Sequence, residues 1–528
     1  MSTRAFTHTL LGLLVVVIVG SLIDVMEVDA AQYASMSRDM LQQDDWLQLF
    51  HRGDPYLDKP PMLFWLSALS FKLFGVHNWS YKLPSILFAF LGIFATYRFA
   101  ALHYGREVTR LAAVMFGTSA AFLIMTNDVR CDTILTGSVI TAIWSGSAWM
   151  EQRRWWQLIG CAFAIAVGML AKGPMGLVAP VLALGGEVIF KRRWRILLDP
   201  HLWLIPLIVG TALVPMCIGL YEQHGMHGIR FYFWEQSFGR ITGENRWKDD
   251  SSILFFTHEV LWQMLPWVLF VLLGIWGSLR ALRQRDPLAE YASITGAVLV
   301  FMALSLSQFK LPHYLYVITP LFAVLGAVAW KASSRLIFLH MQIGVMVLLG
   351  ALTVFLAGYC FPVGGWPFIV LMLALIGIVV FIGREAVPKD RVLHLTIATW
   401  LVSAFILNAH LYPQLMHYQA NAEAGKWAKE QGLARDHFFG MQVSGTALDF
   451  YAGHPVRWLS DAGEARPVIG PGVVIYTDRE RYKELIAADL VPKEVIELPD
   501  YSVQMLDLDL ILPSSRTSVI RSRFLLRY

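Results

Sequence analysis

The sequence is poor in charge: only 16% of its 528 residues are Asp, Glu, Lys or Arg, while 56% are hydrophobic. That balance excludes an ordinary soluble enzyme and is typical of a helical protein that crosses a membrane several times. The net charge is only +4, and the basic residues are spread over short loops. Because a nucleic-acid-binding protein would collect them on one face, that class is excluded as well.

Cysteine is also scarce. The four cysteines, Cys131, Cys161, Cys217 and Cys360, lie in or beside apolar segments and form no CxxC pair. This spacing favours neither a disulfide framework nor a zinc site. A glycine-rich nucleotide-binding loop is missing from the more polar part of the chain after residue 410.

Long apolar runs are what the sequence has in abundance. A membrane span needs about 20 mostly apolar residues. By that measure we predict thirteen transmembrane helices, at residues 8–26, 80–100, 108–126, 133–150, 155–171, 174–190, 201–221, 254–279, 289–306, 312–330, 336–359, 364–383 and 392–410.

Basic residues recur in every alternate loop, beginning with Arg4 and continuing through loops near residues 98–110, 153–154, 191–195, 280–285, 331–335 and 384–391. The positive-inside rule therefore predicts a cytoplasmic amino terminus and an odd number of spans. The first run also resembles a signal peptide, with Val28-Asp29-Ala30 as a cleavage pattern, but its length favours a retained span. The opposite, outer face carries loops 27–79, 127–132 and 222–252, the turn Gln308–Pro312 and everything after residue 410.

The sequence divides into a transmembrane domain, residues 1–410, and a small soluble α/β domain, residues 411–528. In the second domain, Asn421–Gln431 and Arg479–Ala487 have the periodicity of helices. Gly472–Tyr476 and Leu506–Leu512 are short apolar runs typical of strands. We predict that this domain shapes a substrate cleft without performing catalysis.

Two groups of acids lie in the outer loops. Asp29 and Tyr33 are four residues apart and hence share one face of an interfacial helix. Asp29 is either a helix cap or a general base, which needs a carboxylate partly shielded from water. Asp132 lies at the start of the fourth span, where a carboxylate can simply cap the helix. Together with Asp128 and Arg130, however, it forms a polar cluster denser than capping requires.

Cations accompany these acids. Lys59 lies in Asp54-Pro-Tyr-Leu-Asp-Lys-Pro-Pro61, where two prolines hold the chain out of helix, so its amine can bind a phosphate. Lys172 precedes Gly173 and Pro174 and either reaches the lipid headgroups or serves the site. Arg240 and Lys310 complete the set of outer-face cations. Cations beside carboxylates suit a donor whose leaving group is a phosphate.

No pattern favours a metal. The outer-face histidines match no zinc signature; they are His224, His227, His258 and His313. Asp29, Asp132 and Glu235 are the carboxylates available to a divalent cation, which is the only cofactor considered.

These residues, in this order, resemble the C-type glycosyltransferases, and more closely the bacterial lipid A aminoarabinose transferases and the protein O-mannosyltransferases. The resemblance covers most of residues 1–410. It rests on Asp29-Ala-Ala-Gln-Tyr-Ala34 with Arg38-Asp-Met40, Tyr56-Leu-Asp-Lys-Pro-Pro61, Cys131-Asp-Thr133, Ala171-Lys-Gly-Pro174, Tyr232-Phe-Trp-Glu235 with Phe238-Gly-Arg240, and Lys310-Leu-Pro-His-Tyr314.

The resemblance implies a role for each matching residue. Asp29 corresponds to the catalytic acid that activates the acceptor, and Asp132 to a second acid. Lys59 and Arg240 correspond to the groups that hold the polyprenyl phosphate. Arg130 and Lys310 are secondary candidates. Tyr33, Tyr56 and Tyr314 correspond to tyrosines that line the site, and Lys172 to a lysine near it. The chain departs from the family where Asp58, instead of Glu, precedes the lysine.

The implied protein is a glycosyltransferase of the bacterial inner membrane with a periplasmic site. It would move one sugar, with inversion, from an undecaprenyl-phosphate donor to lipid A or another envelope acceptor, with aminoarabinose as the leading sugar. A transporter or ligase of polyprenyl-linked sugars is the alternative. A transporter, however, places polar residues near the membrane midplane, often in inverted repeats, whereas here they lie on one face.

Overall fold

The computed structural model describes residues 1–236, 239, 250–333, 335–366, 369–374, 377, 389–443 and 445–528. The described residues of the chain up to 416 are mostly helical. Its described α-helices are α1 Thr3–Ser21, α2 Asp29–Gln43, α3 Met62–Phe74, α4 Asn78–His103, α5 Arg106–Gly117, α6 Ala120–Asn127, α7 Cys131–Gln152, α8 Trp155–Lys172, α9 Met175–Phe190, α10 Leu204–Arg230, α11 Phe255–Gln263, α12 Val268–Gln284, α13 Ala292–Leu306, α14 Thr319–Ala332, α15 Leu336–Phe355, α16 Lys389–Ile406 and α17 Tyr412–Met416.

Seven of the described helices are long and apolar enough to cross a membrane, or eight if the pair α5 and α6, bent by 49°, forms one span. The protein is therefore a multi-pass membrane protein. Each predicted span except one coincides with a helix or a helix pair, but α9 and α13 are shorter than a full span. The predicted span 364–383 lies mostly outside the described residues, so the count of thirteen stays a prediction.

The basic loops predicted to share one side do lie together at one end of the bundle. Arg110 donates to the carbonyl of Met1 at 3.0 Å, and Arg193 pairs with Glu151 at 2.5 Å. Lys191 reaches the carbonyl of Ala289 at 2.9 Å. These contacts join loops that the positive-inside rule assigned to the same face.

Close helix packing depends on glycines at two contacts. A Cβ at Gly137 of α7 would lie 2.4 Å from the carbonyl oxygen of Phe88 in α4, so only glycine allows these helices to approach as they do. A Cβ at Gly176 of α9 would lie 2.3 Å from the main chain of Gly168 in α8. The tight α8–α9 hairpin places Lys172 and Pro174 at the opposite end of the bundle from the basic loops.

The first long loop contains more structure than its polar sequence suggests. It holds α2, the two-residue strands β1 Phe50–His51 and β2 Asp54–Pro55, and the apolar helix α3. The proline pair at residues 60–61 precedes α3, which begins at Met62. Helices α2 and α3 pack on each other and on residues of the C-terminal domain in one hydrophobic cluster.

The C-terminal domain is a five-stranded mixed sheet with helices around it, which confirms the predicted α/β class. Its strand order is β4-β3-β5-β7-β6: β3 lies parallel to β4 and β5, and β7 lies antiparallel to β5 and β6. The strands are β3 Phe438–Met441, β4 Arg457–Leu459, β5 Val474–Asp478, β6 Glu494–Asp500 and β7 Arg521–Arg527, and the helices are α18 Ala420–Glu430, α19 Thr446–Ala452, α20 Ala462–Ala465, α21 Arg479–Ala487, α22 Leu508–Ile511 and α23 Pro513–Val519.

Both helices predicted in this domain, at 421–431 and 479–487, are present as α18 and α21. The strand predicted at Leu506–Leu512 is wrong, since this run contains the short helix α22. The Asp507 carboxylate accepts a hydrogen bond from the amide of Leu510 at 2.9 Å and so starts a helical turn. Apolar periodicity over so short a run does not separate a strand from a helix.

Candidate functional site

A cavity of about 150 Å³, partly open to solvent, lies at the end of the bundle where α2, α7, α8 and α9 meet. It brings together six of the predicted catalytic and donor-binding residues, and Arg130 with them. Its lining consists of Asp29, Tyr33, Lys59, Arg130, Cys131, Asp132, Leu135, Lys172, Pro174, Met175, Val178, Gln236, Ala303, Leu304, Ser307, Leu311, His313, Tyr314 and Val317.

Asp29 is the first residue of α2, where the helix dipole favours a negative charge. Its carboxylate accepts a hydrogen bond from Arg130 at 2.6 Å, and the same guanidinium bonds Asp128 at 2.7 Å. Burial opposes the charge on Arg130, but the two carboxylates outweigh it and raise the pKa of Arg130 further above its ordinary value. Arg130 is therefore a fixed positive charge that orients Asp29.

Asp132 lies in the first turn of α7 and is almost fully buried, with a side chain 4% exposed. Its carboxylate forms an ion pair with Lys172, and the ring of His313 lies 3.8 Å from it. The amine of Lys172 also lies 4.0 Å from the centre of the Tyr314 ring, a cation–π distance. Asp132 thus fixes Lys172 at the cavity wall between a carboxylate and an aromatic face.

Lys59 approaches the cavity from the stretch before the proline pair and forms an ion pair with Asp58. The side-chain amide of Gln236 donates to the carbonyl of Asp58, which ties this stretch to the segment after α10. Burial opposes the charge on Lys59, but the Asp58 carboxylate outweighs it, so the pKa of Lys59 is raised above its ordinary value. Lys59 is therefore a permanent cation.

Two of the predicted tyrosines pack on a shared phenylalanine. The ring centres of Tyr33 and Tyr56 lie 5.6 Å and 6.2 Å from that of Phe64, both edge to face. Burial raises the pKa of both phenols well above the ordinary value, so both stay neutral. Tyr33 lines the cavity, as its spacing from Asp29 predicts, whereas Tyr56 lines an adjoining cleft that shares Lys59 and Gln236.

The remaining predicted residues do not reach the cavity lining or cannot be placed. Lys310 is buried and donates to the carbonyl of Ser251 at 3.2 Å. Arg240 lies outside the described residues. In the described part of the chain, no group of three or more His, Cys, Asp or Glu side chains could hold a metal ion. The three carboxylates named for a cation each pair with a base: Asp29 with Arg130, Asp132 with Lys172, and Glu235 with Arg230.

Sequence reasoning missed three contributions. His313 lies beside the carboxylate of Asp132, and its place directly before Tyr314 is the sequence signal that could have identified it. The pairing of Arg130 with Asp29 joins residues 101 positions apart, so no local pattern announces it. Gln236 follows the motif ending at Glu235, and nothing in the sequence singles it out.

The comparisons with known proteins agree with this geometry. Residues 58–218 match the family described as dolichyl-phosphate-mannose-protein mannosyltransferase. Solved structures of ArnT from Cupriavidus metallidurans superpose with TM-scores of 0.73, for the form bound to undecaprenyl phosphate, and 0.71, for the apo state. They are 19% and 20% identical in sequence and cover 92% and 91% of this chain and 95% and 94% of their own. The chain has the C-type glycosyltransferase fold.

Curated relatives point the same way. The chain is 27% identical over 319 residues to the undecaprenyl phosphate-alpha-4-amino-4-deoxy-L-arabinose arabinosyl transferase of Edwardsiella ictaluri. This match covers 58% of the chain and 55% of the relative. It is 27% identical over 303 residues to the protein of the same name from Pseudomonas aeruginosa PAO1, covering 54% and 52%. The matches span about half the length of these relatives. The resemblance predicted from the motifs is confirmed.

Proposed function

We propose that the chain is a membrane glycosyltransferase that moves a single sugar from an undecaprenyl-phosphate-type lipid to an acceptor, with aminoarabinose and lipid A as the leading donor sugar and acceptor. The observation that carries the proposal is one cavity in which the carboxylate of Asp29 faces the cations Lys59 and Lys172. That is the charge arrangement that a transfer with a phosphate leaving group requires.

In the proposed reaction, the acceptor oxygen attacks the anomeric carbon of the donor sugar and the bond from that carbon to the phosphate oxygen breaks. Asp29 takes the proton of the attacking oxygen, and the ion pair with Arg130 holds its carboxylate at the cavity. Lys59 and Lys172 stabilise the negative charge that stays on the lipid phosphate. Attack opposite the leaving group inverts the anomeric carbon.

A route for the lipid tail supports the proposal. An apolar groove runs between α8, α9 and α10 and is lined by residues that include Met169, Leu177 and Leu213. Leu177 lies three residues from Pro174 of the cavity, a rise of about 4.5 Å along a helix. A polyprenyl chain in this groove would bring its phosphate to Lys59 and Lys172.

The same proposal assigns the protein to the bacterial inner membrane, with the amino terminus cytoplasmic and the cavity and C-terminal domain periplasmic. It is supported by the separation of the two ends. The basic loops contact one another at one end, and the cavity lies at the other. Lipid-linked sugar and lipid A would both reach the cavity from the outer leaflet.

The experiment that tests the function is transfer by the purified, full-length protein in lipid nanodiscs. Undecaprenyl phosphate-aminoarabinose and lipid A are supplied, and the product is read by mass spectrometry. We expect a mass increase of one aminoarabinose on lipid A, lost in Asp29→Asn and retained in Asp54→Asn, which alters an exposed acid of the β1–β2 hairpin. Full activity of Asp29→Asn would exclude Asp29 as the base, and no transfer to lipid A by the unaltered protein would exclude this acceptor.

A further inference from the structure

Residues 22–28 connect the first membrane helix to Asp29, and they contain no regular secondary structure. Helix α1 ends at Ser21 and α2 begins at Asp29 itself. The main-chain groups of this connection therefore have few partners among themselves. The partners that they find decide where Asp29 lies.

The first of these partners is Gln419, a residue 2% exposed that directly precedes α18 in the C-terminal domain. Its side-chain oxygen accepts from the amide of Glu27 at 2.8 Å, and its side-chain nitrogen donates to the carbonyl of Val25 at 2.9 Å. The two bonds hold the main chain of Val25 and Glu27 in place from one side chain. The hydroxyl of Tyr451 accepts from the amide of Val25 at 2.8 Å.

The side chain of Glu27 continues the contact. Its carboxylate accepts from the side-chain amide of Asn421 and from the main-chain amide of Ala447, each at 2.9 Å. The hydroxyl of Thr446 donates to the carbonyl of Val28 at 2.9 Å. The residue directly before Asp29 is thus bonded to the C-terminal domain through its main chain.

Helix α2 is held on the far side of Asp29 as well. The guanidinium of Arg38, 2% exposed, donates to the carbonyls of Asp449 at 2.6 Å and Phe450 at 3.3 Å. The hydroxyl of Ser35 reaches the carbonyl of Thr446 at 3.3 Å. In contrast, the cavity lining includes no described residue of the C-terminal domain.

We propose that the C-terminal domain positions Asp29, with Gln419 and Glu27 as the residues that transmit this positioning. These nine hydrogen bonds join the domain to residues 22–28 and α2. None of the domain's described residues lines the cavity, so its effect on the reaction passes through α2. The inference rests on the proposed role of Asp29 as the base. The sequence prediction is different: it holds that the domain shapes a substrate cleft. If the domain positions Asp29 instead, a substitution of Gln419 changes turnover and leaves donor binding intact.

The test compares Gln419→Ala with Gln431→Ala in the full-length protein in nanodiscs. Gln431 is an exposed glutamine just after the other end of α18, and it serves as the matched control. Hydrogen–deuterium exchange of residues 25–36, kcat and the KM for undecaprenyl phosphate-aminoarabinose are measured. We expect Gln419→Ala to exchange faster, with kcat reduced at least tenfold and KM within twofold, because small displacements of a catalytic group cost large factors in rate. Gln431→Ala should match the unaltered protein in all three.

Unchanged exchange in Gln419→Ala, or faster exchange with an unchanged kcat per folded molecule, would overturn the inference. Tyr451→Phe removes the bond to the amide of Val25 with a smaller change in volume, and the same readings apply to it if Gln419→Ala does not fold. Asp29→Asn separates the two proposals. If Asp29→Asn stays active, the proposed base is wrong whatever the exchange data show; if it is inactive and Gln419→Ala is not, only the positioning role fails.

Discussion

The guanidinium of Arg130 holds the carboxylate of Asp29 at 2.6 Å, across 101 positions of sequence. Because Arg130 precedes α7 and Asp29 begins α2, this ion pair fixes α2 to the membrane bundle. It also decides which way the proposed base points.

Replacing Arg130 by Gln should lower kcat by about 10- to 100-fold. The guanidinium bridges the carboxylates of Asp29 and Asp128, and a neutral amide cannot replace these two charged hydrogen bonds. The measurement is the steady-state rate of sugar transfer in nanodiscs. Arg153→Gln, which alters an exposed ion pair at the other end of the bundle, is the control and should be unaffected. Equal rates for the two variants would show that Arg130 does not orient the base.

Replacing Lys59 by Ala should weaken donor binding, because the amine is proposed to bind the lipid phosphate. A charge-assisted contact of this kind contributes about 1.5–3 kcal/mol, or a factor of roughly 10 to 150 in Kd. Binding of undecaprenyl phosphate can be measured by native mass spectrometry. Lys72→Ala removes an exposed lysine from the neighbouring helix α3 and should bind normally. A normal Kd for Lys59→Ala would remove its phosphate role.

The pH dependence of donor binding should reveal the effect of Asp58 on Lys59. The carboxylate raises the pKa of Lys59, so in the unaltered protein the amine stays charged up to and beyond its ordinary value of about 10.4. In Asp58→Asn the main influence that opposes burial is gone, and burial lowers the pKa of an amine. Donor binding should then be lost at a lower pH than in the unaltered protein. An alkaline limb at the same pH in both proteins would contradict this assignment.

Replacing Asp132 by Asn should destabilise the protein by about 3 kcal/mol or more, because it leaves Lys172 partly buried without its carboxylate. The double variant Asp132→Asn/Lys172→Met should recover thermal stability, since an apolar side chain then replaces the unpaired charge. Its transfer activity should stay low because the cation is missing. Thermal unfolding followed by tryptophan fluorescence, together with the transfer assay, separates these effects. Full activity of the double variant would show that Lys172 has no part in the reaction.

Replacing Gly176 by Ala should force apart the α8–α9 hairpin, because the added Cβ would lie 2.3 Å from the main chain of Gly168. Overpacking of this kind costs about 1–3 kcal/mol and would displace Lys172 from Asp132. Gly185→Ala is the matched control on the same helix, since its Cβ would meet nothing within 4 Å. Thermal stability and kcat should both fall in the first variant only.

Features set by local pattern were predictable from the sequence. Apolar runs located the long helices, and the four-residue spacing of Asp29 and Tyr33 predicted that they share one helix face. Both residues line the cavity. The membrane restricts the chain to helices where it spans, so hydropathy alone carries much of the fold.

What depended on distant contacts was not predictable. Arg130 meets Asp29, and Gln419 meets Val25 and Glu27, only through tertiary packing. The strand predicted at Leu506–Leu512 was wrong because one capping aspartate, Asp507, decides between strand and helix in a run of seven residues.

The contact between Gln419 and Glu27 spans 392 residues, so synthesis completes it late. The segment that carries Asp29 leaves the ribosome long before its partners exist, and contacts of such long range form slowly. While the remaining helices insert, the segment that carries Asp29 lacks its hydrogen bonds to the C-terminal domain. Docking of the C-terminal domain would therefore also be the step that fixes the position of Asp29, and a molecule stalled before it would occupy the membrane with its proposed base unsupported.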